Sequence, residues 1–142
     1  MKFYYLSILI VIISNTLYHL SQKGTPGSIN PMVALTITYG TALVISVIGL
    51  FVYPSEVGIM ESFRKLNWAS FALGISVVGL ELGFLLAYRA GWNISLAGLY
   101  TNVIVALILI PIGIVFFKDQ ISVTKAVGIA LSIAGIIFIS LK

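Results

Sequence analysis

The segment WASFALGISVVGLELGFLLAYR, residues 68–89, decides the fold of this chain. A bilayer core about 30 Å thick is crossed by about 20 helical residues, and this segment is long and apolar enough to cross it. Glu81 falls near its middle, where a charged side chain costs about 2.5 to 3.5 kcal/mol. Acidic residues at that depth usually face a wet cavity or a partner, so the segment predicts a spanning helix with a proton or cation site. The alternative is a protonated Glu81 whose hydrogen bonds only hold helices together.

The composition extends this interpretation to the whole chain. Of its 142 residues, 60% are hydrophobic and 8% are charged, and the mean hydropathy is +1.14. So few charges cannot cover the surface of a soluble globule, whereas a surface that faces lipid needs none. We therefore expect an all-α integral membrane protein with a single domain over residues 1–142. The net charge of +4 is spread over the loops, so no nucleic acid is expected as a partner.

Apolar segments before and after residues 68–89 predict further spans, separated by loops rich in glycine, proline or charge. The expected bundle has about five transmembrane helices, over residues 3–20, 32–53, 68–89, 94–117 and 123–141. Between the second and third spans, Ser55 is a candidate N-cap for a short interfacial helix, with a plain loop as the alternative. Ser122 is the expected N-cap of the last span. Pro111 predicts a kink or a local unwinding in the fourth.

Five spans place the two ends of this chain on opposite sides of the membrane. The basic residues then divide between the sides as follows: Lys2, Arg64, Lys65, Lys118 and Lys125 on one, and Lys23, Arg89 and Lys142 on the other. This weak bias favours a cytoplasmic N-terminus and leaves room for insertion in both orientations.

Polar residues inside the other spans are candidates to share a site with Glu81. Asn15 and His19 lie one helical turn apart in the first span; we expect Asn15 to form an interhelical hydrogen bond, and His19 either packs or handles protons. Thr101 and Asn102 in the fourth span are expected to line the Glu81 cavity; the alternative is that Ser95, Gly98 and Thr101 let a neighbouring helix approach closely. The predicted substrate or proton site consists of Glu81, Asn15, His19, Thr101 and Asn102.

Three other features of the spans predict packing or anchoring. Arg89 is expected to reach the membrane surface, and Tyr88 to anchor the helix at the lipid interface. A row of small residues in the fifth span predicts a packing or dimerisation face: Ala126, Ala130, Ala134, Gly128, Ser132 and Gly135.

Enzymatic motifs are not found in the sequence. Glu81 has no second intramembrane acid beside it, and neither a His/Glu metal cluster nor a GxSxG or P-loop spacing occurs. The chain has no cysteine. We therefore expect neither catalysis nor a metal or cofactor.

The run FFKDQISVTKAVGIALSIAGIIFISL, residues 116–141, resembles the closing segment of the EamA domain of the drug/metabolite transporter superfamily. In that segment a small–acidic pair ends one helix and a glycine-spaced final helix follows. Gly128 and Gly135 match the pattern, while Lys118 and Asp119 stand where the family usually has glycine and glutamate. The resemblance implies a single-domain, five-helix member that forms half of an inverted-repeat transporter.

The function implied by this resemblance is secondary transport across the cell membrane. We expect export of a small metabolite or drug-like molecule by alternating access, with Glu81 available for proton coupling, in a homodimer, either parallel or antiparallel, or with a paralogous partner. The alternatives are an accessory membrane subunit that does not transport, and half of a lipid-linked sugar flippase.

Overall fold

The computed structural model describes residues 2–53, 57–118, 120 and 122–140, and this part of the chain is helical, without strands. The helices are α1 (Lys2–Gly24), α2 (Pro31–Val52), α3 (Ile59–Arg64), α4 (Trp68–Arg89), α5 (Ile94–Phe117) and α6 (Val123–Ser140).

Among the described helices, four are long and apolar enough to cross a membrane: α1, α2, α4 and α5. They indicate a membrane protein, and they confirm the prediction of an all-α fold built on apolar helices. The apolar helix α6 is shorter, with 17 residues over Val123–Ile139. The fifth span therefore stays a prediction.

Asparagine side chains begin α2, α4 and α5. The Oδ1 atom of Asn30 accepts a hydrogen bond from Met32 N at 2.8 Å, that of Asn67 from Ala69 N at 2.9 Å, and that of Asn93 from Ser95 N at 3.1 Å. Each bond satisfies an amide at the helix start that has no partner within the helix, which makes these boundaries a local property of the sequence.

Three of the sequence predictions concern the remaining helices. The predicted short helix is present as α3, which begins behind Gly58; the candidate cap Ser55 lies outside the described residues. Ser122 caps α6, since its Oγ atom accepts a hydrogen bond from Lys125 N at 3.3 Å. Helix α5 continues through Pro111 to Phe117, so the local unwinding predicted there is wrong.

The chain divides into two compact units, Met1–Gly91 and Trp92–Lys142. In the first unit α4 packs against both α1 and α2; in the second α5 packs against α6. The single domain expected over residues 1–142 stays a prediction.

The small core of the first unit holds a carboxyl group. Leu35 of α2 and Leu85 and Tyr88 of α4 are buried, with 4%, 1% and 5% of their surface exposed, and Glu81 lies among the buried residues with 8%. Most of the other large apolar side chains in this unit are exposed, as expected for helices that face lipid. The core thus places the one buried acid of the described residues at the contact between α4 and its neighbours.

Candidate functional site: a polar cavity around Glu81

A cavity of about 240 Å³ opens between α1, α2 and α4, wholly within the first unit. Its lining consists of Tyr18, Ser21, Gln22, Thr25, Ala34, Leu35, Thr38, Glu81 and Leu85. Residues three or four apart lie on the same face of a helix, and the lining of each helix follows that spacing. The cavity is therefore formed by one face from each of three apolar helices.

The Glu81 carboxyl group is buried without a bonding partner. Its Oε2 atom has no hydrogen-bond partner among the described residues. The one ion pair that the described residues form lies elsewhere, between Lys65 and Glu61 at 2.8 Å, and both of those side chains are more than half exposed. If Glu81 served only to hold helices together, its carboxyl group would be hydrogen-bonded to a neighbouring helix. Its Oε2 atom forms no such bond within the described residues.

A neighbouring amide fixes the backbone of Glu81. Gln22 Nε2 donates a hydrogen bond of 3.4 Å to the Glu81 carbonyl oxygen, across a sequence separation of 59 residues. This contact sets the position of α4 against α1 and leaves the carboxylate oxygens unengaged. The Glu81 carboxyl group thus lines the cavity without a bond to Gln22.

The hydroxyl groups around the carboxyl differ in what they offer a ligand. Thr25 Oγ1 donates to Ser21 O at 3.0 Å, and Thr38 Oγ1 donates to Ala34 O at 3.1 Å, so both oxygens retain only acceptor capacity. Tyr18 Oη is buried and has no hydrogen-bond partner among the described residues, which leaves its O–H group available as a donor. Glu81 is the only Asp, Glu, Lys, Arg or His side chain in the lining.

His19 belongs to an adjacent aromatic cluster and is not among the residues that line the cavity. Its Nδ1 atom shares a hydrogen bond of 2.8 Å with the hydroxyl of Tyr88. Phe84 contacts both rings, edge-to-face with His19 at 4.8 Å between centroids and stacked with Tyr88 at 5.9 Å. The cluster joins α1 to α4 beside the cavity, which favours the packing interpretation of His19 over proton handling.

Tyr88 and Arg89 both form contacts within the first unit. With 5% of its surface exposed, Tyr88 is packed inside the unit, so its prediction as an interfacial anchor is wrong. Arg89 is half-buried, and its Nη2 atom donates to Pro26 O at 3.1 Å and Ile29 O at 2.8 Å. Arg89 thus joins the α1–α2 loop to the end of α4, and its expected position at the membrane surface stays a prediction.

The other predicted site residues are not found around Glu81 in the described cavity. Asn15 is exposed on α1 and is not part of the lining. Thr101 donates its hydroxyl proton to Ala97 O at 2.9 Å within its own helix, and Asn102 is exposed. Both belong to the second unit, so their contribution to the Glu81 site stays a prediction.

Sequence reasoning missed the hydroxyl-bearing lining residues Tyr18, Ser21, Thr25 and Thr38. A signal was present in α1, where polar residues recur at helical spacing just before the first loop. In α2 the signal is weaker, since Thr36, Thr38 and Thr41 are equally polar and only packing against α4 distinguishes Thr38.

The second unit contains a different kind of concavity, an apolar groove of about 510 Å³ between α5 and α6. Its lining contains Lys125, Gly128 and Ser132, and the other lining residues are apolar. Ser132 Oγ donates to Gly128 O at 2.9 Å, and Lys125 Nζ donates to Gln120 O at 3.4 Å. Because these polar groups are bonded within the unit, the groove offers less chemistry than the Glu81 cavity.

Comparisons with known proteins add no identification: no family model, curated protein or solved structure matches this chain. The functional assignment therefore depends on the residues of the cavity themselves.

Proposed function

We propose that this chain is a secondary transporter of a small molecule and that the Glu81 cavity is its substrate and proton site. The observation that carries the proposal is the Glu81 carboxyl group, with 8% of its surface exposed and Oε2 unbonded among the described residues, in a polar cavity between apolar helices. Ionisable groups within membrane segments mark ion and substrate pathways. The carboxyl group is too costly in lipid to be explained by packing alone.

Coupling follows from competition for one carboxyl group. A proton and a substrate bound to the same Glu81 oxygens exclude each other, so entry of one drives release of the other. A proton that moves inward through a membrane potential of 100 mV contributes about 2.3 kcal/mol to uphill export. Exchange of a proton for the substrate at Glu81 is thus sufficient for an exporter.

Alternating access requires a second half. Many transporters are built from two inverted repeats around a site near the membrane midplane, and each rocks against the other. A second copy of this chain, or a paralogue, inserted in the opposite orientation in the cell membrane would supply that half. The resemblance to the EamA domain supports this organisation, with this chain as a single-domain, five-span member.

The test is proton movement in vesicles. The purified chain is placed in liposomes that contain a pH-sensitive dye, and outward gradients of amines, amino acids and sugars are applied in turn. We expect one class of compound to change the pH inside the liposomes, as reported by the dye. Glu81→Gln should abolish this pH change. Glu61→Gln is the matched control, because it removes an exposed acid from α3. Undiminished proton movement in Glu81→Gln would overturn the proposal.

A second candidate function is that of an accessory subunit, favoured by the small-residue face of α6. A side-chain carbon added at Gly128 or Gly135 would meet nothing within 4 Å among the described residues, as at most other glycines of the described structure, so the space beside them is open there. A membrane partner packed there would explain the row of small residues. This candidate predicts that the chain is unstable without a neighbouring gene product and that it gives no flux in vesicles on its own.

A further inference from the structure

The Glu81 cavity is rich in hydrogen-bond acceptors. Thr25 and Thr38 have already donated their hydroxyl protons to backbone carbonyls of their own segments, and Glu81 contributes an unbonded carboxylate oxygen. Gln22 has one amide N–H engaged by the Glu81 carbonyl. Glu81 Oε2 is buried, and a buried acceptor left without a donor costs about 1 to 3 kcal/mol. Thr25 is half-buried and Thr38 is exposed, and both add acceptor oxygens to the lining, so the cavity favours an occupant that brings N–H groups.

The charge of the lining points to the same kind of occupant. Among the lining residues Glu81 alone carries an ionisable acid or base of the Asp, Glu, Lys, Arg or His type. An anionic ligand would lie beside a buried carboxylate without a cation to offset the repulsion, which is strongly unfavourable at low dielectric. A cation instead pairs with Glu81 and gains charge-assisted hydrogen bonds.

A further donor completes the cavity. Tyr18 Oη, buried and without a hydrogen-bond partner among the described residues, has a hydroxyl proton to give. An occupant that carries an acceptor a short distance from its cationic end would satisfy Tyr18 and Glu81 together. The volume of about 240 Å³ limits the occupant to a small molecule; a cavity of about 150 Å³ is sufficient for benzene.

We propose that the Glu81 cavity binds a small protonated primary amine that also carries a hydroxyl group, with its ammonium group on Glu81 and Thr38 and its hydroxyl group on Tyr18. This inference rests on the proposed function in so far as the cavity is the substrate site, and it names the class of substrate. A quaternary ammonium of the same charge has no N–H to donate and would leave the threonine acceptors unsatisfied.

Ethanolamine and choline form the matched pair of probes. Both carry one positive charge at pH 7 and the same hydroxyethyl arm, and they differ in N–H versus N–methyl groups. Binding of each to the full purified chain in lipid nanodiscs is measured by calorimetry, which requires no transport. We expect ethanolamine to bind at least about tenfold more tightly than choline, as one charge-assisted hydrogen bond would give.

Three variants locate the binding. Glu81→Gln should abolish ethanolamine binding, and Thr38→Val should weaken it about fivefold through loss of an acceptor. Thr41→Val is the control, because Thr41 donates to Ile37 O at 2.9 Å in the same helix but does not line the cavity. It should bind ethanolamine like the parent chain, and helical circular dichroism should show that all variants fold.

Three outcomes overturn the inference. One is equal binding of ethanolamine and choline, and another is equal weakening of ethanolamine binding by Thr38→Val and Thr41→Val. Either result would show that the cavity does not distinguish N–H donors from N–methyl groups. Absence of ethanolamine binding while another compound drives Glu81-dependent proton movement in vesicles would overturn the substrate class and leave the proposed transport intact. Ethanolamine binding without any vesicle flux would have the opposite meaning, supporting the class of ligand and contradicting transport.

Discussion

Glu81 places a carboxyl group in a buried position of the first unit. Its side chain is buried beside Leu85, yet the nearest stabilising contact, from Gln22, reaches the backbone and not the carboxyl group. A buried carboxyl group without a partner costs free energy that an apolar side chain of similar volume would not. This cost is the reason for placing Glu81 at the centre of the proposed site.

The hydrogen bond between His19 and Tyr88 provides the first prediction at the scale of the residue. Tyr88→Phe removes the hydroxyl that lies 2.8 Å from His19 Nδ1 and keeps the ring packing. We expect a loss of about 1 kcal/mol in the free energy of unfolding, the usual value for such bonds within membrane proteins. Unfolding by SDS in mixed micelles measures it. Tyr53→Phe is the control, since Tyr53 is 82% exposed and should show no change.

Arg89 provides a second prediction at this scale. Arg89→Met keeps most of the side-chain volume and removes the hydrogen bonds to Pro26 O and Ile29 O. We expect the α1–α2 loop to open more often, because these carbonyls lose a charged donor. Tryptic cleavage after Lys23 should become faster. Arg64→Met removes an exposed arginine from α3 and should leave that cleavage rate unchanged; equal acceleration in both variants would contradict the role of Arg89.

At the scale of the element, helix ends are set by single residues of special conformation. The last residue of α5 is followed by Lys118, which has φ 56° and ψ 33°, and whose amide donates to Gly113 O. Left-handed backbone of this kind favours glycine, which has no Cβ to clash. Lys118 is therefore a non-glycine residue at a helix end whose backbone favours glycine.

Replacement of Lys118 tests this helix end. Lys118→Gly should raise the free energy of unfolding by about 0.5 to 1 kcal/mol, because relief of the left-handed strain outweighs the greater freedom of glycine in the unfolded chain. The matched variant is Gly91→Ala, at φ 95° after α4, which should lower stability by about 1 kcal/mol. Both are measured by SDS unfolding, and changes of the same sign in the two variants would contradict the assignment.

At the scale of the whole molecule, the proposed pairing of oppositely inserted copies predicts dual topology. Reporters attached behind Lys142, one active only in the cytoplasm and one only outside it, should both give signal. The reason is the weak division of basic residues between the two sets of loops, which specifies neither orientation strongly. Signal from the outside alone would indicate one orientation and an oppositely inserted partner. Signal from the cytoplasm alone would contradict five spans.

Charge variants serve as controls for this topology. Gln120→Lys adds a basic residue to the loop before α6, and Ser28→Lys adds one to the loop before α2. With spans at α2, α4 and α5 these loops lie on opposite sides, so the variants should shift the two reporter signals in opposite directions. A shift in the same direction would contradict the order of spans.

Much of the fold was determined by the sequence itself, because hydropathy, helix length and capping are local properties. The apolar segments predicted α1, α2, α4 and α5 within a few residues, and Ser122 was identified as a cap from its position before an apolar run. The depth of Glu81 within its helix follows from counting residues at 1.5 Å each. None of these requires knowledge of another part of the chain.

Which faces of the helices meet depends on the tertiary structure. The contacts that position Glu81, Tyr88 and Arg89 join residues 59 to 69 positions apart in the sequence. Rotation of α1 or α2 by one residue would turn Thr25 or Thr38 away from α4 without any change in hydropathy. The lining of the cavity and the burial of Tyr88 therefore depend on how particular side chains pack between helices. The spacing of apolar residues along each helix does not specify this packing.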